Sequence, residues 1–113
     1  MTALALLLAG AALSSPARVQ VSADEFTLAL SRPWIGSGAA IVQLVNYGED
    51  EHDLALRRLA AGARTFRIHT TRPGGVRDLE LKVAPGRYRL WCSLPGHAAR
   101  GMSATLVVRR PRR

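Results

Sequence analysis

Short runs in which apolar and polar residues alternate are the feature of this sequence that most restricts its fold. Residues 26–31 and 76–83 place large apolar side chains on alternate positions, the period of a strand with one buried face. Turns that contain Gly or Pro, such as residues 84–86, separate the runs, and helix-period patterning is scarce. The predicted strands cover residues 18–22, 26–31, 39–46, 53–57, 66–70, 76–83, 87–91 and 104–109. We therefore predict an all-β fold, a two-sheet β-sandwich of about seven or eight strands.

Two segments predict less regular structure. Residues 31–38 are rich in Ser, Pro and Gly, so we expect a turn that closes the second strand. Within residues 59–76, the segment 59–65 is compatible with a helical turn and 66–70 with a short strand. A clear turn signal follows at residues 72–75.

The N-terminal residues resemble an export signal. Residues 1–17 contain no charged side chain, residues 2–13 are apolar or small, and residues 15–17 offer small residues for cleavage. We predict a signal peptide over residues 1–17; an uncleaved anchor and a buried first strand are the alternatives. The rest of the chain is long enough for one domain, predicted over residues 18–109, with a basic tail at 110–113. The predicted location is periplasmic or otherwise extracytoplasmic, and a monomer is expected.

The chain is strongly basic. Its formal net charge is +8, and the positive charge ends in a cluster over residues 109–113. A charge run of this kind is usually a solvated end, but it also suits weak contact with an anionic membrane surface or an acidic protein. Nucleic acid is not an expected partner, because aromatic residues are few and no recognisable nucleic-acid-binding motif is present.

Three residues with metal-binding side chains share one short loop near the C-terminus. The only cysteine, Cys92, is followed five residues later by His97 and five residues after that by Met102. Thiolate, imidazole and thioether are the soft and borderline donors that suit copper. A single cysteine cannot form an intrachain disulfide. A buried inert thiol is the alternative, and the position of Cys92 in this loop argues against it.

A mononuclear blue-copper site needs a second imidazole besides His97. The remaining histidines are His52 and His69. His52 lies where a predicted loop meets a predicted strand, at an end of the sandwich where loops gather, so we choose it as the ligand. His69 lies in the predicted strand 66–70 and is interpreted as an ordinary surface histidine.

Two motifs in the sequence match a known family. They are Asn46-x-Gly48-x-x-x-His52-Asp53-Leu54 and Pro85-Gly86-x-Tyr88-x-x-x-Cys92-Ser93-x-Pro95-Gly96-His97-x-x-x-Gly101-Met102. Over roughly residues 18–109 the chain resembles a small cupredoxin of the plastocyanin/azurin class, a type 1 blue copper protein. The resemblance implies a Greek-key β-sandwich with one mononuclear type 1 copper at one pole. The ligands it implies are the imidazoles of His52 and His97, the thiolate of Cys92 and, as a weak axial donor, the thioether of Met102.

The resemblance further implies that polar residues near the ligands hold the two ligand loops together. Asp53 follows the first histidine, where many family members have Asn, and its expected partner is Ser93; Asn46 is the third residue of this kind. A weak axial thioether favours the reduced state and a fairly high reduction potential. An ionised Asp53 near the thiolate would lower that potential.

In this family the edge of the second histidine usually reaches the surface and serves as the electron port, which implies a port at His97. The apolar residues expected around it are Leu94, Pro95, Ala98 and Ala99, with Trp34 or Ile35 as further candidates. A flat apolar patch suits weak, transient docking, although these residues also fit an ordinary loop of small residues. Arg100 in this rim indicates an acidic redox partner.

The function implied is that of an exported one-electron carrier rather than an enzyme. The alternatives are a protein that delivers or buffers copper, and a cupredoxin domain that acts as a non-redox interaction module. The sequence lacks the His-x-His pairs of a trinuclear copper cluster and the second cysteine of a binuclear centre. The acidic run at residues 49–53 is interpreted as a solvated loop, since a calcium loop needs ligands at regular offsets and a distal carboxylate.

Overall fold

The structure, a computed structural model, describes residues 15–111 and is built from β strands. Within this range the strands are β1 (Ala17–Asp24), β2 (Thr27–Leu30), β3 (Trp34–Gly36), β4 (Gly38–Asn46), β5 (His52–Arg58), β6 (Thr65–Thr71), β7 (Val76–Val83), β8 (Gly86–Trp91) and β9 (Ser103–Arg109). One turn of 3-10 helix, Ala98–Arg100, lies between β8 and β9. The predicted all-β fold is confirmed, and each predicted strand segment overlaps a strand of the structure.

The strands form two sheets that pack face to face around one core. One sheet has the order β2-β1-β4-β7, and the other has the order β3-β9-β8-β5-β6. β1 pairs with β4 and β3 pairs with β9 in parallel, whereas the other neighbours are antiparallel. Several neighbours in each sheet are not consecutive in the chain, which is the connectivity of the Greek-key sandwich that the resemblance implies.

Alternation along the strands places the core between the sheets. In β1, Val19 is 1% and Val21 is 0% exposed, while Arg18 and Asp24 face solvent. The core drawn from both sheets includes Val19, Val21, Val42, Leu44, Leu54, Leu56, Leu90 and Leu106. Full burial of one such side chain stabilises the fold by about 1.5–3 kcal/mol. The alternation seen in the sequence is therefore also the main source of stability.

The turn that leads into β8 is fixed by side-chain hydrogen bonds. The Tyr88 hydroxyl accepts a bond from the N–H of Ala84 (2.9 Å) and donates one to the Ala84 carbonyl (2.9 Å). The Arg58 guanidinium donates two bonds to the Pro85 carbonyl, from Nε (2.9 Å) and Nη2 (2.7 Å). Gly86 has a φ of +145°, and a side chain there would collide with Arg58. These contacts fix the start of the strand that leads to the predicted metal loop.

Three local expectations differ from the structure. Residues 34–36 form a strand rather than part of a turn, because they pair in parallel with residues 107–109 of β9. This pairing is at the end of β9 remote from Met102, so Trp34 and Ile35 do not line the surface around the metal loop. Residues 59–64 contain one hydrogen-bonded turn and no helix.

The predicted signal segment lies largely outside the described residues, as do the last two residues of the basic tail. Ala17, at the predicted cleavage point, is the first residue of β1 and lies opposite Ala40 of β4. No helix within residues 15–111 is long and apolar enough to cross a membrane. The boundaries of signal peptide, domain and tail stay predictions.

Candidate metal centre

Three strand ends bring the predicted ligands to one end of the sandwich, called the metal pole below. β5 begins at His52, β8 ends at Trp91 directly before Cys92, and β9 begins directly after Met102. β8 lies between β5 and β9 and is antiparallel to both. The end of β8 therefore meets the starts of its two neighbours, which explains how residues distant in sequence come together.

The donor atoms of His52, Cys92 and His97 form a compact triangle. Nδ1 of His52 lies 3.2 Å from Nδ1 of His97. Sγ of Cys92 lies 3.5 Å from Nδ1 of His97 and 4.0 Å from Nδ1 of His52. In a trigonal plane with bonds of about 2.0 Å to nitrogen and about 2.3 Å to sulfur, neighbouring donor atoms are about 3.5–3.7 Å apart. The observed triangle thus has the size that a first-row transition-metal ion needs.

Met102 is buried in the loop that carries Cys92 and His97, whereas His69 lies away from this triangle. Met102 is 0% exposed, and its backbone closes the loop. Its N–H donates to the His97 carbonyl (3.2 Å), and its carbonyl accepts from the Cys92 N–H (3.1 Å). His69 is exposed on β6 and lies outside the cluster that a metal ion fits. The structure thus brings His52, and not His69, to the cysteine.

Burial sets the protonation chemistry of the cluster. Cys92 and His52 are both 0% exposed, and burial raises the pKa of the Cys92 thiol. The thiol of the metal-free protein is therefore protonated at neutral pH, and a metal that binds the thiolate must displace that proton. Such a site favours metals with high affinity for thiolate, and copper is one of these.

Asp53 connects the strand of the first histidine to the loop of the cysteine. Its Oδ1 accepts the N–H of Ser93 (2.6 Å), and its Oδ2 accepts the Ser93 hydroxyl. Asp53 follows His52 and Ser93 follows Cys92, so these two bonds hold the backbones of two predicted ligands together. The pairing expected from the sequence is present.

Asn46 organises the loop that precedes His52. Its side-chain Nδ2 donates to the carbonyls of Asp50 (2.8 Å) and Thr71 (2.9 Å). Its Oδ1 accepts the N–H of Gly48 (2.8 Å). Asn46 is fully buried, so these bonds replace all contact with water and fix loop 47–51 against β6.

Glu25, in the turn between β1 and β2, contacts the site and is absent from the sequence prediction. Its Oε1 lies 3.1 Å from Nε2 of His52, the ring nitrogen that faces away from the cluster. The N–H groups of Asp50 and Glu49 donate to the same carboxylate. The bond from Asp50 lowers the pKa of Glu25 most, and with those from Glu49, from the N–H of Glu25 itself and from His52 it outweighs the effect of burial, so that the pKa falls from 4.5 to about 2. Glu25 could be predicted only from the parallel pairing of β1 with β4, because this pairing brings the turn beside loop 47–51.

The surface of the metal pole contains the residues expected around the electron port. His97, Leu94 and Ala98 are half-buried, whereas Pro95 and Ala99 are exposed. All five lie in the segment between β8 and β9, which contains the 3-10 turn. The predicted apolar residues and the imidazole are therefore part of one accessible loop.

Phe26 occupies the place beside His97 for which Trp34 or Ile35 was a candidate. Its ring meets the ring of His97 edge-on, with centroids 5.2 Å apart. The Arg100 guanidinium carbon lies 4.7 Å from the centroid of the same ring. Phe26 follows Glu25 directly, so the turn between β1 and β2 reaches both histidines of the cluster.

Comparison with known proteins establishes the fold. No protein-family model and no curated protein sequence matches the chain. The structure is similar to reduced auracyanin from Roseiflexus castenholzii, with a TM-score of 0.67 and 17% identity over 85% of this chain and 99% of that one. It is similar to auracyanin A, a "blue" copper protein from Chloroflexus aurantiacus (TM-score 0.67, 13% identity, 84% and 100% coverage). Amicyanin from Paracoccus versutus also matches (TM-score 0.58, 19% identity, 88% and 87% coverage). The chain has the cupredoxin fold, as the motifs imply.

Proposed function

We propose that this protein is a type 1 copper protein that carries one electron at a time. The observation that supports this most is the compact triangle of two imidazole nitrogens and one sulfur, with donor atoms 3.2–4.0 Å apart. In the proposed site His52, Cys92 and His97 hold one copper ion, and Met102 is the weak axial ligand. A bound copper ion would supply reversible exchange between Cu(I) and Cu(II), which this donor set suits.

The contribution of the chain is to keep the donor atoms in place while the charge changes. His52 belongs to β5, whereas Cys92 is held by its bond to Met102 and by the Asp53–Ser93 pair. Thiolate and thioether suit Cu(I), and imidazole suits both oxidation states. Since one arrangement serves both states, little rearrangement accompanies electron transfer.

The enclosure of the site favours a carrier over the alternatives. Cys92 and His52 are 0% exposed, so a metal-accepting partner would have to open the pole before it reached them. An enzyme needs an open coordination position for its substrate, and four protein ligands would occupy the proposed site. A delivery protein and a copper enzyme are therefore less consistent with the geometry.

We extend the proposal to an exported, periplasmic or extracytoplasmic location. It is supported by the uncharged residues 1–17 and by the full burial of the single cysteine, which protects the thiol in an oxidising compartment. Protein sequencing of material exported by the host should find an N-terminus near residue 18. Retention of Met1 in a cytoplasmic protein would contradict this location.

The outer face of the five-stranded sheet, called the arginine face below, supports an acidic partner. It consists of the exposed side chains of Arg57, Arg67, Arg87, Arg89 and Arg109. Arg57 lies opposite Arg89 in the register of β5 and β8. Arg67 and Trp91 both lie opposite Ala55, so the same face continues to the end of β8 at the metal pole.

Acidic side chains are scarce in the strands that form this face. Asp53 is the only acidic residue in the five strands of that sheet, and its carboxylate accepts hydrogen bonds from Ser93. The outer face of the four-stranded sheet is mixed, with Arg18, Lys82, Asp78 and Glu80 exposed. We propose that the partner is an acidic redox protein that docks against the arginine face, because complementary charge steers such encounters.

The copper proposal is tested by adding Cu(II) to the purified protein and recording its visible spectrum and midpoint potential. We expect an intense thiolate-to-copper absorption at about 600 nm and reversible one-electron cycling. Copper that binds without this absorption, or that passes readily to EDTA, contradicts the carrier and favours a buffering role. Failure to bind copper favours the interaction module.

The docking proposal is tested by electron transfer from a reduced acidic ferredoxin, used as a surrogate partner, to the copper-loaded protein. The triple variant R57Q/R67Q/R89Q should react roughly tenfold more slowly at low ionic strength, and high salt should remove the difference. The matched control R18Q/R32Q/K82Q removes the same charge from the other side of the molecule and should react like the unchanged protein.

Equal rates for the two triple variants would overturn the arginine face as the docking site. Vesicles of phosphatidylcholine and phosphatidylserine test the other anionic surface. If the protein binds these vesicles through the arginine face and shows no salt-dependent reaction with the acidic protein, a membrane is the occupant and the proposal is wrong.

A further inference from the structure

The Glu25 carboxylate links the ring of His52 to the loop that precedes it. Oε1 of Glu25 lies 3.1 Å from Nε2 of His52, 2.6 Å from the N–H nitrogen of Asp50 and 2.9 Å from that of Glu49. Oε2 also accepts from Glu49 (3.1 Å). One side chain from the turn between β1 and β2 thus contacts two N–H groups of loop 47–51 and the ring of His52.

The chain makes room for this carboxylate at one position. A Cβ atom at Gly48 would lie 2.6 Å from Oε1 and 2.7 Å from Oε2 of Glu25. Because real Cβ atoms do not approach so closely, any side chain at residue 48 would displace the carboxylate from the loop. The glycine of the first motif therefore has a specific role in this chain.

The contact also determines which nitrogen of His52 faces the cluster as an acceptor. A carboxylate that takes hydrogen bonds from two backbone N–H groups is an acceptor, so Nε2 of His52 is the donor. Nδ1, which faces Cys92 and His97, then carries the free electron pair. His52 is 0% exposed, so water does not compete for either nitrogen.

We infer that Glu25 is a positioning residue that fixes the tautomer and orientation of His52 and makes its Nδ1 a stronger donor to Cu(II). This inference rests on the proposed copper site. A carboxylate behind a ligating imidazole raises the basicity of the ring. The stronger donor favours the more highly charged Cu(II) over Cu(I), so Glu25 lowers the reduction potential.

Neighbouring carboxylates supply a matched control. Glu49 is exposed in the same loop, and its side chain makes no hydrogen bond with residues 15–111. Glu49→Gln therefore removes one negative charge at the metal pole without touching His52. Glu25→Gln removes the same charge and keeps an oxygen that can accept from Nε2, whereas Glu25→Ala removes both.

The experiment compares the three variants with the unchanged protein by two readouts. For Glu25→Gln we expect Cu(II) affinity to fall about tenfold relative to Cu(I), a rise of about 59 mV in midpoint potential. Glu49→Gln should give a clearly smaller rise. In the metal-free protein, ¹⁵N NMR should show His52 as the Nε2–H tautomer, and Glu25→Ala should produce a mixture of tautomers.

The outcomes distinguish this inference from the proposed function. If the unchanged protein forms no blue site, the copper proposal fails, and the NMR comparison still tests the Glu25–His52 contact. If the blue site forms and Glu25→Gln shifts the potential no more than Glu49→Gln, Glu25 does not tune the site. An Nδ1–H tautomer in the metal-free protein would overturn the positioning role.

Discussion

His52 and His97 present the same nitrogen to Cys92, at 4.0 and 3.5 Å, but their surroundings are opposite. His52 is fully buried at the start of β5, and its second nitrogen is bonded to Glu25. His97 is half-buried in the loop before the 3-10 turn, where its ring meets the edge of Phe26. The imidazole of His52 is held by the Glu25 carboxylate, whereas the imidazole of His97 is partly exposed to solvent. If the proposed copper site forms, this difference would give His52 the role of holding the metal and His97 the role of exchanging the electron.

The largest expected effect comes from removing the sulfur atom that both histidines face. Cys92→Ser replaces the thiolate by a hydroxyl that is a poor ligand for copper, so the absorption at about 600 nm should disappear. The visible spectrum after addition of Cu(II) measures this. A variant that keeps the blue absorption would show that the two histidines do not share a copper ion with the thiolate of Cys92.

Replacing each histidine by glycine tests the contrast in exposure directly. Both His52→Gly and His97→Gly should lose the blue absorption, because each removes one imidazole donor. Added imidazole should restore it in His97→Gly, where the cavity opens to solvent, and not in His52→Gly, where the cavity is enclosed. A titration with imidazole, followed by visible spectroscopy, measures the recovery of the absorption. Equal recovery in both variants would mean that the two histidine positions do not differ in access to solvent.

A smaller effect is expected from removing the hydrogen bonds that join the start of β5 to the loop after β8. Asp53→Ala removes both bonds to Ser93, and the free energy of unfolding of the metal-free protein should fall by about 1.5 kcal/mol, the low end for bonds to a charged group at a partly exposed site. Urea denaturation measures it. The control is Asp50→Ala, which removes an exposed carboxylate of loop 47–51 and keeps the backbone bond of residue 50 to Glu25. It should leave the free energy of unfolding almost unchanged.

The third histidine should give no effect. His69 is exposed on β6, outside the cluster, so His69→Ala should leave the spectrum, midpoint potential and copper affinity unchanged. Competition with a copper chelator is the most sensitive measurement. Any loss of affinity would mean that the assignment of His52 as the buried ligand needs revision.

Much of the fold follows from the sequence, because the alternation that drives burial is written in adjacent residues. β3 is an exception: its three residues follow Pro33 and have a strand conformation only because they pair with residues 107–109. Such a pairing has no local signal. For the same reason the sequence did not tell which end of the sandwich Trp34 and Ile35 occupy.

The candidate site was predictable to the extent that its residues share one segment. Cys92, His97 and Met102 are visible as a spacing, and His52 as a histidine at a loop–strand junction. Glu25 has no such mark, since it reaches the loop before His52 only through the parallel pairing of β1 with β4. Contacts that depend on sheet order become visible only when the sheets are known.

The strand that starts at the anchored turn of Tyr88 has a consequence for how the site tolerates insertions. Tyr88, Leu90 and Cys92 are 3%, 0% and 0% exposed, so every second residue from the turn faces inward. The cysteine faces its histidines because an even number of steps separates it from a fixed start. Inserting one residue between Tyr88 and Cys92 would change that parity and turn the thiol toward the arginine face, whereas inserting two would keep it inward.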